Sequence, residues 1–350
     1  MNEAVPLRIL MISRDKAGLD PTSSSAERWL RLVQQGVELE VWILSADTMT
    51  WEQPGIRVIG TGGKHFFARA WRVMKQAPKQ KPDLVTAQNA AELGWLGLRL
   101  ARRLGAKLEV QDHSGGFDGS GAIDESFPVL RARLAMFVLK RAQAIRTVSL
   151  RSLTWLTAHV KLYSYWLPIV PRQDFAQVTR QTIPGRIVCT ARFVPIKRQR
   201  LLLEAFAKLH KRQPDTSLAL VGDGPLRPAL EAYAEELGVS SAVLFPGWVD
   251  TLPWIAQADV FVLLSFQEGW GVAAIEAAMA GVPVVMSDTG CARFLEDRGL
   301  AQVLRRVTID TVVEAIEKQR GKQPKPLVDV ITPESFAIEQ VQHWQTLCRN

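Results

Sequence analysis

Two glutamates, Glu268 and Glu276, lie eight residues apart in the stretch SFQEGWGVAAIEAAMAGVPVVMSD, residues 265–288. Between them stand Gly269, Trp270 and Gly271, and the apolar periodicity predicts a helix beginning near Val272. Glycines ahead of a helix leave its first backbone N–H groups open, and the helix dipole makes that end electropositive, which suits an anion. Carboxylates are strong acceptors for hydroxyl donors. A ligand with hydroxyls at both ends and phosphates between would match this pattern. On local pattern alone, the glycines could also make a plain turn with both acids solvated.

A second cluster, ARFVPIKRQ at 191–199, carries Arg192 and Lys197 just after an apolar run. An arginine forks onto phosphate oxygens and a lysine supplies a point charge, so the pair could hold a diphosphate without a metal. GDGP, residues 222–225, offers Gly222 in a tight turn but lacks the GxGxxG spacing of a dinucleotide site. FPGWVD, residues 245–250, places Trp248 where it could line a base pocket, or serve as core or lid.

These residues need elements to position them. Short apolar runs alternate with helical patterns along the whole chain, which predicts parallel sheets covered by helices. LRILMIS (7–13), LEVWILS (39–45), DLVTAQ (83–88), KLEVQDH (107–113) and AIRTVS (144–149) read as strands of one series. RIVCTA (186–191), SLALVGDG (217–224), AVLFPG, VFVLLS and PVVMSD read as strands of a second. SSSAERWLRLVQQG (23–36), AAELGWLGLRLARRLG and QRLLLEAFAKLHKR (199–212) read as helices. In each series the candidate residues fall at strand C-terminal ends, where open α/β sheets bind ligands. Pro168, Pro171 and Pro184 interrupt the rhythm between the two series. The expected division is therefore 1–172 for the first domain, 173–185 for a linker and 186–332 for the second, with a closing helix at 333–350 that crosses back to the first.

Composition narrows the function classes. At 350 residues the chain is long enough for two cores. Three scattered cysteines and five scattered histidines give neither a disulfide frame nor metal-ligand spacing. No apolar run approaches a membrane span, and the first residues do not read as a secretory signal, so a cytoplasmic protein is expected. The net charge of +8 is uneven. Residues 1–172 carry 24 Lys and Arg against 15 Asp and Glu, whereas the remainder carries 19 against 20. The basic half, including the stretch from Leu130 to Arg141, suggests peripheral contact with an anionic membrane face or a diphosphate-bearing acceptor. A merely soluble basic surface is the alternative. No helix-turn-helix, zinc or RNA-reading motif supports nucleic-acid binding.

Taken together, the motifs resemble the retaining glycosyltransferases of family 4, the glycosyl transferases group 1 of GT-B fold. Glu268 and Glu276 match that family's E-x7-E signature, and Arg192 and Lys197 match its R-x4-K clamp. GDGP and the GVPVV strand agree as well. In the first half, DLVTAQNAAELGWLGLRLARRLGAKLEVQDH and RARLAMFVLKRAQAIRTVS resemble members that build bacterial exopolysaccharides. The resemblance implies two Rossmann-like domains facing a central cleft. It implies that Glu276 binds the nucleotide ribose and that Glu268 contacts the donor sugar. Backbone groups of Gly269 to Gly271 would approach the sugar and diphosphate, and Arg192 and Lys197 would stabilise the departing nucleoside diphosphate. His113, at a strand tip, matches the family's active-site histidine, which the resemblance implies lies near the donor sugar. The expected donor is a UDP- or GDP-sugar and the expected acceptor a saccharide or polyprenyl-linked saccharide, with no cofactor or metal required. The chain departs from the pattern at SRDKAGLDPTSSSAER, which has only Gly18 where the family has a glycine-rich loop, at Asn89, and at QDHSGGFDG. A non-hydrolysing sugar-nucleotide epimerase and a catalytically silent nucleotide-sugar-binding scaffold are the rival readings.

Overall fold

The computed structural model describes residues 6–114 and 128–349. Residues 115–119 of the QDHSGGFDG tip lie outside the described residues. The chain divides into two compact units: one holds 6–113, 128–168 and 331–349, and the other holds 114 and 169–330.

The first unit is built on eight strands: β1 (Leu7–Ser13), β2 (Val37–Ile43), β3 (Thr50–Gln53), β4 (Ile56–Gly60), β5 (Leu84–Ala87), β6 (Lys107–Asp112), β7 (Ala144–Thr147) and β8 (Tyr163–Trp166). Their order across the sheet is β3-β4-β2-β1-β5-β6-β7-β8. Only the β3–β4 pair is antiparallel among the described strands. The central strands are buried on both faces, as helices on both sides of a parallel sheet require. Ser23 caps the helix Ser24–Gln34 by accepting from the Ala26 N–H, and Gly105 closes the helix Glu92–Leu104 in the left-handed conformation. The helix Pro333–Arg349 belongs to this unit. It packs beside Ser24–Gln34, buries Trp344 completely and pairs Glu334 with Arg31.

The second unit has six parallel strands: β9 (Arg186–Thr190), β10 (Ser217–Val221), β11 (Val243–Gly247), β12 (Val260–Leu263), β13 (Val284–Ser287) and β14 (Ala301–Leu304). Their order is β11-β10-β9-β12-β13-β14. The chain reverses direction of travel across the sheet between β9 and β12, which makes their C-terminal ends the switch point where such sheets take ligands. Leu202, Leu203 and Phe206 of the helix Gln199–His210 and Val312 and Ile316 of the helix Ile309–Gln319 fill one face against Ile187, Leu218 and Val262.

The unit boundary lies at 168/169 rather than at 172, and residues 173–185 do not stand apart as a linker. They pack on the second unit because they carry groups that need it. Phe175 is fully buried, the turn Gln173–Gln177 lies against the helix Val272–Met279, and the N–H groups of Gln181 and Ile183 donate to Ala256 and Gln257 carbonyls.

Candidate functional site

The expected ligand residues of the second half gather at the C-terminal ends of β9 to β12. After β9, the chain makes a short turn at Pro195–Lys197 and then passes through Arg198 in the left-handed region, φ 56°. A non-glycine residue held there carries strain that its surroundings must offset. Here the Arg198 guanidinium stacks 4.1 Å above the Phe266 ring, and the Phe266 N–H donates to the Ile196 carbonyl at 2.8 Å. The loops after β9 and β12 are thereby tied together.

That tie places Lys197 against Glu268. The Lys197 Nζ donates to Glu268 Oε1 at 2.6 Å, and the Ser265 hydroxyl donates to the same oxygen, also at 2.6 Å. Both charged side chains are largely withdrawn from solvent, at 21% and 11% exposed. Ser265 is itself held from behind, since the Ser287 hydroxyl donates to its carbonyl at 2.5 Å. Arg192 is exposed, and among the described residues its guanidinium has no hydrogen-bond or ion-pair partner. Its backbone carbonyl is fixed by the buried Gln199 amide at 2.9 Å.

The helix Val272–Met279 starts at Gly271, and no side chain caps it. Trp270 is 3% exposed and its ring packs 5.3 Å from Phe294, so this residue offers a ligand its backbone and not its indole. The loop rests on Gly290 and Cys291: the Cys291 N–H donates to the Trp270 carbonyl at 2.8 Å. A Cβ on Gly290 would lie 2.7 Å from the Trp270 carbonyl oxygen and 2.8 Å from Glu268 Cβ, so only glycine permits this approach.

Glu276 lies on the second turn of that helix, 9% exposed. Its Oε1 accepts the Arg172 backbone N–H at 3.3 Å. Burial pushes its carboxyl up from an ordinary 4.5 to about 7, against the lowering effect of Arg172. The Arg172 guanidinium in turn pairs with Asp250 at 2.5 Å and Asp174 at 2.6 Å. Asp250 belongs to the loop that carries Trp248, whose side chain is 79% exposed. Gly222 donates its N–H to the carbonyl of Gly247, the last residue of β11 before that loop, at 2.9 Å. A Cβ on Gly222 would meet the Ala191 carbonyl oxygen at 2.1 Å, beside Arg192. Hydrogen bonds and ion pairs therefore link the turn at Gly222 to Gly247, and Asp250 through Arg172 to Glu276, while Lys197 joins Glu268.

His113 belongs to the first unit, at the end of β6. Its Nε2 lies 3.2 Å from Gln111 Oε1, and burial beside Arg146 and Arg28 pushes its imidazole down to about 3, so the ring is neutral.

Ser265, Gly290, Cys291, Arg172 and Arg198 are parts of the site that sequence reasoning did not single out. SDTG, residues 287–290, directly follows an apolar strand and was the available signal for Gly290. Nothing in the local pattern of Arg172 points to Glu276, 104 residues away. Among the described residues, no group of three or more His, Cys, Asp or Glu converges as a metal site would need.

Each half of the chain matches a known protein family. Residues 184–319 match the family described as Glycosyl transferases group 1, and residues 24–160 match the Glycosyl transferase 4-like domain. A GDP-mannose-dependent alpha-(1-6)-phosphatidylinositol monomannoside mannosyltransferase of Mycolicibacterium smegmatis is 36% identical over 171 residues, 46% of this chain and 44% of that protein. The lipopolysaccharide core biosynthesis glycosyltransferase LpsE of Rhizobium meliloti is 33% identical over 151 residues, 39% of this chain and 43% of that protein. The match thus spans less than half the length of these relatives. Among solved structures, sucrose-phosphate synthase of Thermosynechococcus elongatus has a TM-score of 0.76 at 18% identity, covering 97% of this chain and 99% of that one. Anabaena Alr3699/HepE, in complex with UDP and glucose, has a TM-score of 0.71 at 18% identity, with 97% and 99% covered. With both halves matched and both sheets of the Rossmann-like kind, the chain belongs to the group 1, family 4-like glycosyltransferases and has their GT-B fold.

Proposed function

We propose that this protein transfers a sugar from a nucleoside-diphosphate sugar to a saccharide or lipid-linked saccharide, with retained anomeric configuration, in the biosynthesis of cell-surface polysaccharide or glycoconjugate. The observation that carries this reading is the Lys197–Glu268 pair beside an uncapped, glycine-opened helix start. The pair sets a cation and a hydroxyl acceptor side by side, where a sugar and its diphosphate join.

In this mechanism the acceptor hydroxyl attacks the anomeric carbon from the face that the diphosphate leaves, and a diphosphate oxygen takes the hydroxyl proton. The protein positions the reactants and stabilises charge. Negative charge grows on the leaving diphosphate in the transition state. In this reading Arg192, Lys197 and the N–H groups at the start of Val272–Met279 meet that charge, and no metal is needed for that role. Gly269 to Gly271 give the donor close access to backbone, Glu268 holds a sugar hydroxyl, and Glu276 holds the ribose. Trp248 and Gly222 border the base and diphosphate positions.

The base is uracil or guanine in this reading, in line with the UDP bound by HepE and the GDP-mannose dependence of the mycobacterial relative. A thermal-shift screen of UDP-, GDP- and ADP-sugars, followed by donor turnover with and without chelator, tests it. Stabilisation by one nucleotide class and chelator-resistant release of its diphosphate are expected. Conversion of the free sugar nucleotide into its epimer without any acceptor would favour the epimerase reading, and binding without turnover the scaffold reading.

Peripheral contact with an anionic membrane face on the cytoplasmic side is part of the proposal. Among the described residues, no helix is long and apolar enough to cross a membrane. The helix Pro128–Leu139 exposes Val129, Leu130 and Phe137 next to Arg133, Lys140 and Arg141. Apolar groups ringed by cations suit the headgroup boundary. Sedimentation with anionic but not zwitterionic vesicles is expected, and equal sedimentation with both would remove this part.

A further inference from the structure

The core of the first unit contains a buried carboxylate, Glu109 on β6, which is fully inaccessible. Its Oε2 accepts the Thr86 hydroxyl at 2.7 Å, the Trp344 indole N–H at 2.9 Å and the Gln111 amide at 3.3 Å. Its Oε1 accepts the Tyr165 hydroxyl, which also accepts the Gln340 amide at 2.7 Å. Trp344 and Gln340 both come from the helix Pro333–Arg349, so the last helix of the chain supplies groups on which this cluster closes. A buried acid is costly unless its oxygens are filled, and here donors fill them.

The donor and acceptor rules fix the rest. Thr86 gives its proton to Glu109, so toward Gln111 it accepts, at 2.9 Å. The end of Gln111 that faces Thr86 and Glu109 must then be its NH2 group. The other end is the carbonyl oxygen, and it faces the Arg146 guanidinium at 3.4 Å, which can only donate. That same oxygen is the atom 3.2 Å from His113 Nε2. An acceptor there requires Nε2 to carry a proton. Among the described residues, His113 Nδ1 has no hydrogen-bond partner.

We propose that Gln111 is a positioning residue that locks His113 as the Nε2–H tautomer with Nδ1 presented as an open acceptor, and that the C-terminal helix maintains this lock through Glu109. The inference rests on the reading of His113 as a donor-site residue only for its consequence, not for its chemistry. The charged groups that bear on His113 are Arg146 on β7 and Arg28 on the helix Ser24–Gln34, and both disfavour an imidazolium. A neutral ring in one tautomer can accept a sugar hydroxyl at Nδ1, whereas the opposite tautomer would present a donor there.

The test is 15N NMR of the full chain with labelled histidine, the His113 resonances being assigned by their loss in His113→Asn. Unaltered protein at pH 7 should show the Nε2–H tautomer without titration down to about pH 5. Gln111→Met keeps the volume but removes the acceptor, and should give mixed tautomers and a fall in turnover of roughly tenfold or more, the scale of a lost orienting partner. Trp344→Phe removes a single donor to Glu109 from the far end of the chain and should shift the same resonances. An Nδ1–H tautomer or an imidazolium in unaltered protein overturns the proposal, as does a tautomer that ignores Gln111→Met. Sugar transfer at full rate by His113→Ala would instead defeat the donor-site reading of His113 and leave the tautomer result standing.

Discussion

Lys197 and Glu268, 71 residues apart in sequence, meet at 2.6 Å across the C-terminal ends of β9 and β12. Each residue was legible from its own motif, but the contact between them was not. Its effect is that neither group is simply a free surface charge. Glu268 shares its Oε1 between a lysine and the Ser265 hydroxyl, and among the described residues its Oε2 has no hydrogen-bond partner.

Removing the cation should separate chemistry from binding. On the proposed mechanism, Lys197→Ala takes from the charge developing on the leaving diphosphate a partner that acts mainly in the transition state. Turnover should fall by on the order of 10² to 10³, the usual scale for a lost charge-stabilising donor. The donor KM should change far less. Steady-state kinetics on purified protein decide the point, and full turnover rejects the assigned role.

Arg192 offers a contrast because its side chain is exposed and unpartnered among the described residues. Arg192→Ala should therefore leave stability within about 0.5 kcal/mol of the parent, the range of ordinary surface changes. Turnover should still drop, since diphosphate is its only expected partner. A paired melting curve and rate measurement check both halves of the statement. A stability loss comparable to that of a core substitution would mean that Arg192 has a structural role.

The two sheets were readable because apolar runs of strand length alternate with amphipathic runs of helix length. β1, β5, β9 and β12 are buried throughout or nearly so, and their sequences carry that burial as unbroken hydrophobic stretches. β3 was not readable: Thr50–Gln53 sits at a sheet edge with mostly exposed, polar side chains, so it lacks any periodic signal. β8 was missed for a related reason, being an edge strand of only four residues. At the site, Glu268, Glu276, Arg192 and Lys197 were legible by residue type and spacing. Arg172 and Ser287 were not, because their parts depend on which loops the folded sheet brings together. The prolines around Arg172 suggested a linker, yet Phe175 three residues later anchors that segment to the second unit.

Gly222 tests the backbone side of the site. Its φ is 136°, and an added Cβ would stand 2.1 Å from the Ala191 carbonyl oxygen. Neither the dihedral nor the clash can be relieved by a side-chain rotation, since the obstacle is backbone. Gly222→Ala should cost on the order of 3 kcal/mol, in the range of strained positions with forced shifts. It should also disturb the turn that leads to Arg192. Thermal or urea unfolding measures the loss, and a melting point equal to the parent's would show that the turn tolerates a side chain.

Glu276 makes the protein sensitive to pH in two opposite ways. Its carboxyl is raised in the fold from 4.5 to about 7, mainly by burial. Between those values the folded state holds a proton that the unfolded chain has released, so stability falls as pH rises through this window. The full cost, reached above pH 7, is about 3 kcal/mol for a shift of this size. Glu276→Gln should therefore unfold later than the parent at pH 8, and the difference should shrink toward pH 5. Donor binding should run the other way. A ribose diol donates to a carboxylate, so binding requires the ionised form, and the donor Kd should improve roughly tenfold per pH unit up to about 7 and then level off. Intact nucleotide sugar has no group of its own that titrates there, which assigns the dependence to the protein. Calorimetric titration from pH 5.5 to 8.5 with parent and Glu276→Gln measures it. A parent whose donor affinity is flat across that range would mean that Glu276 does not hold the donor as an anion.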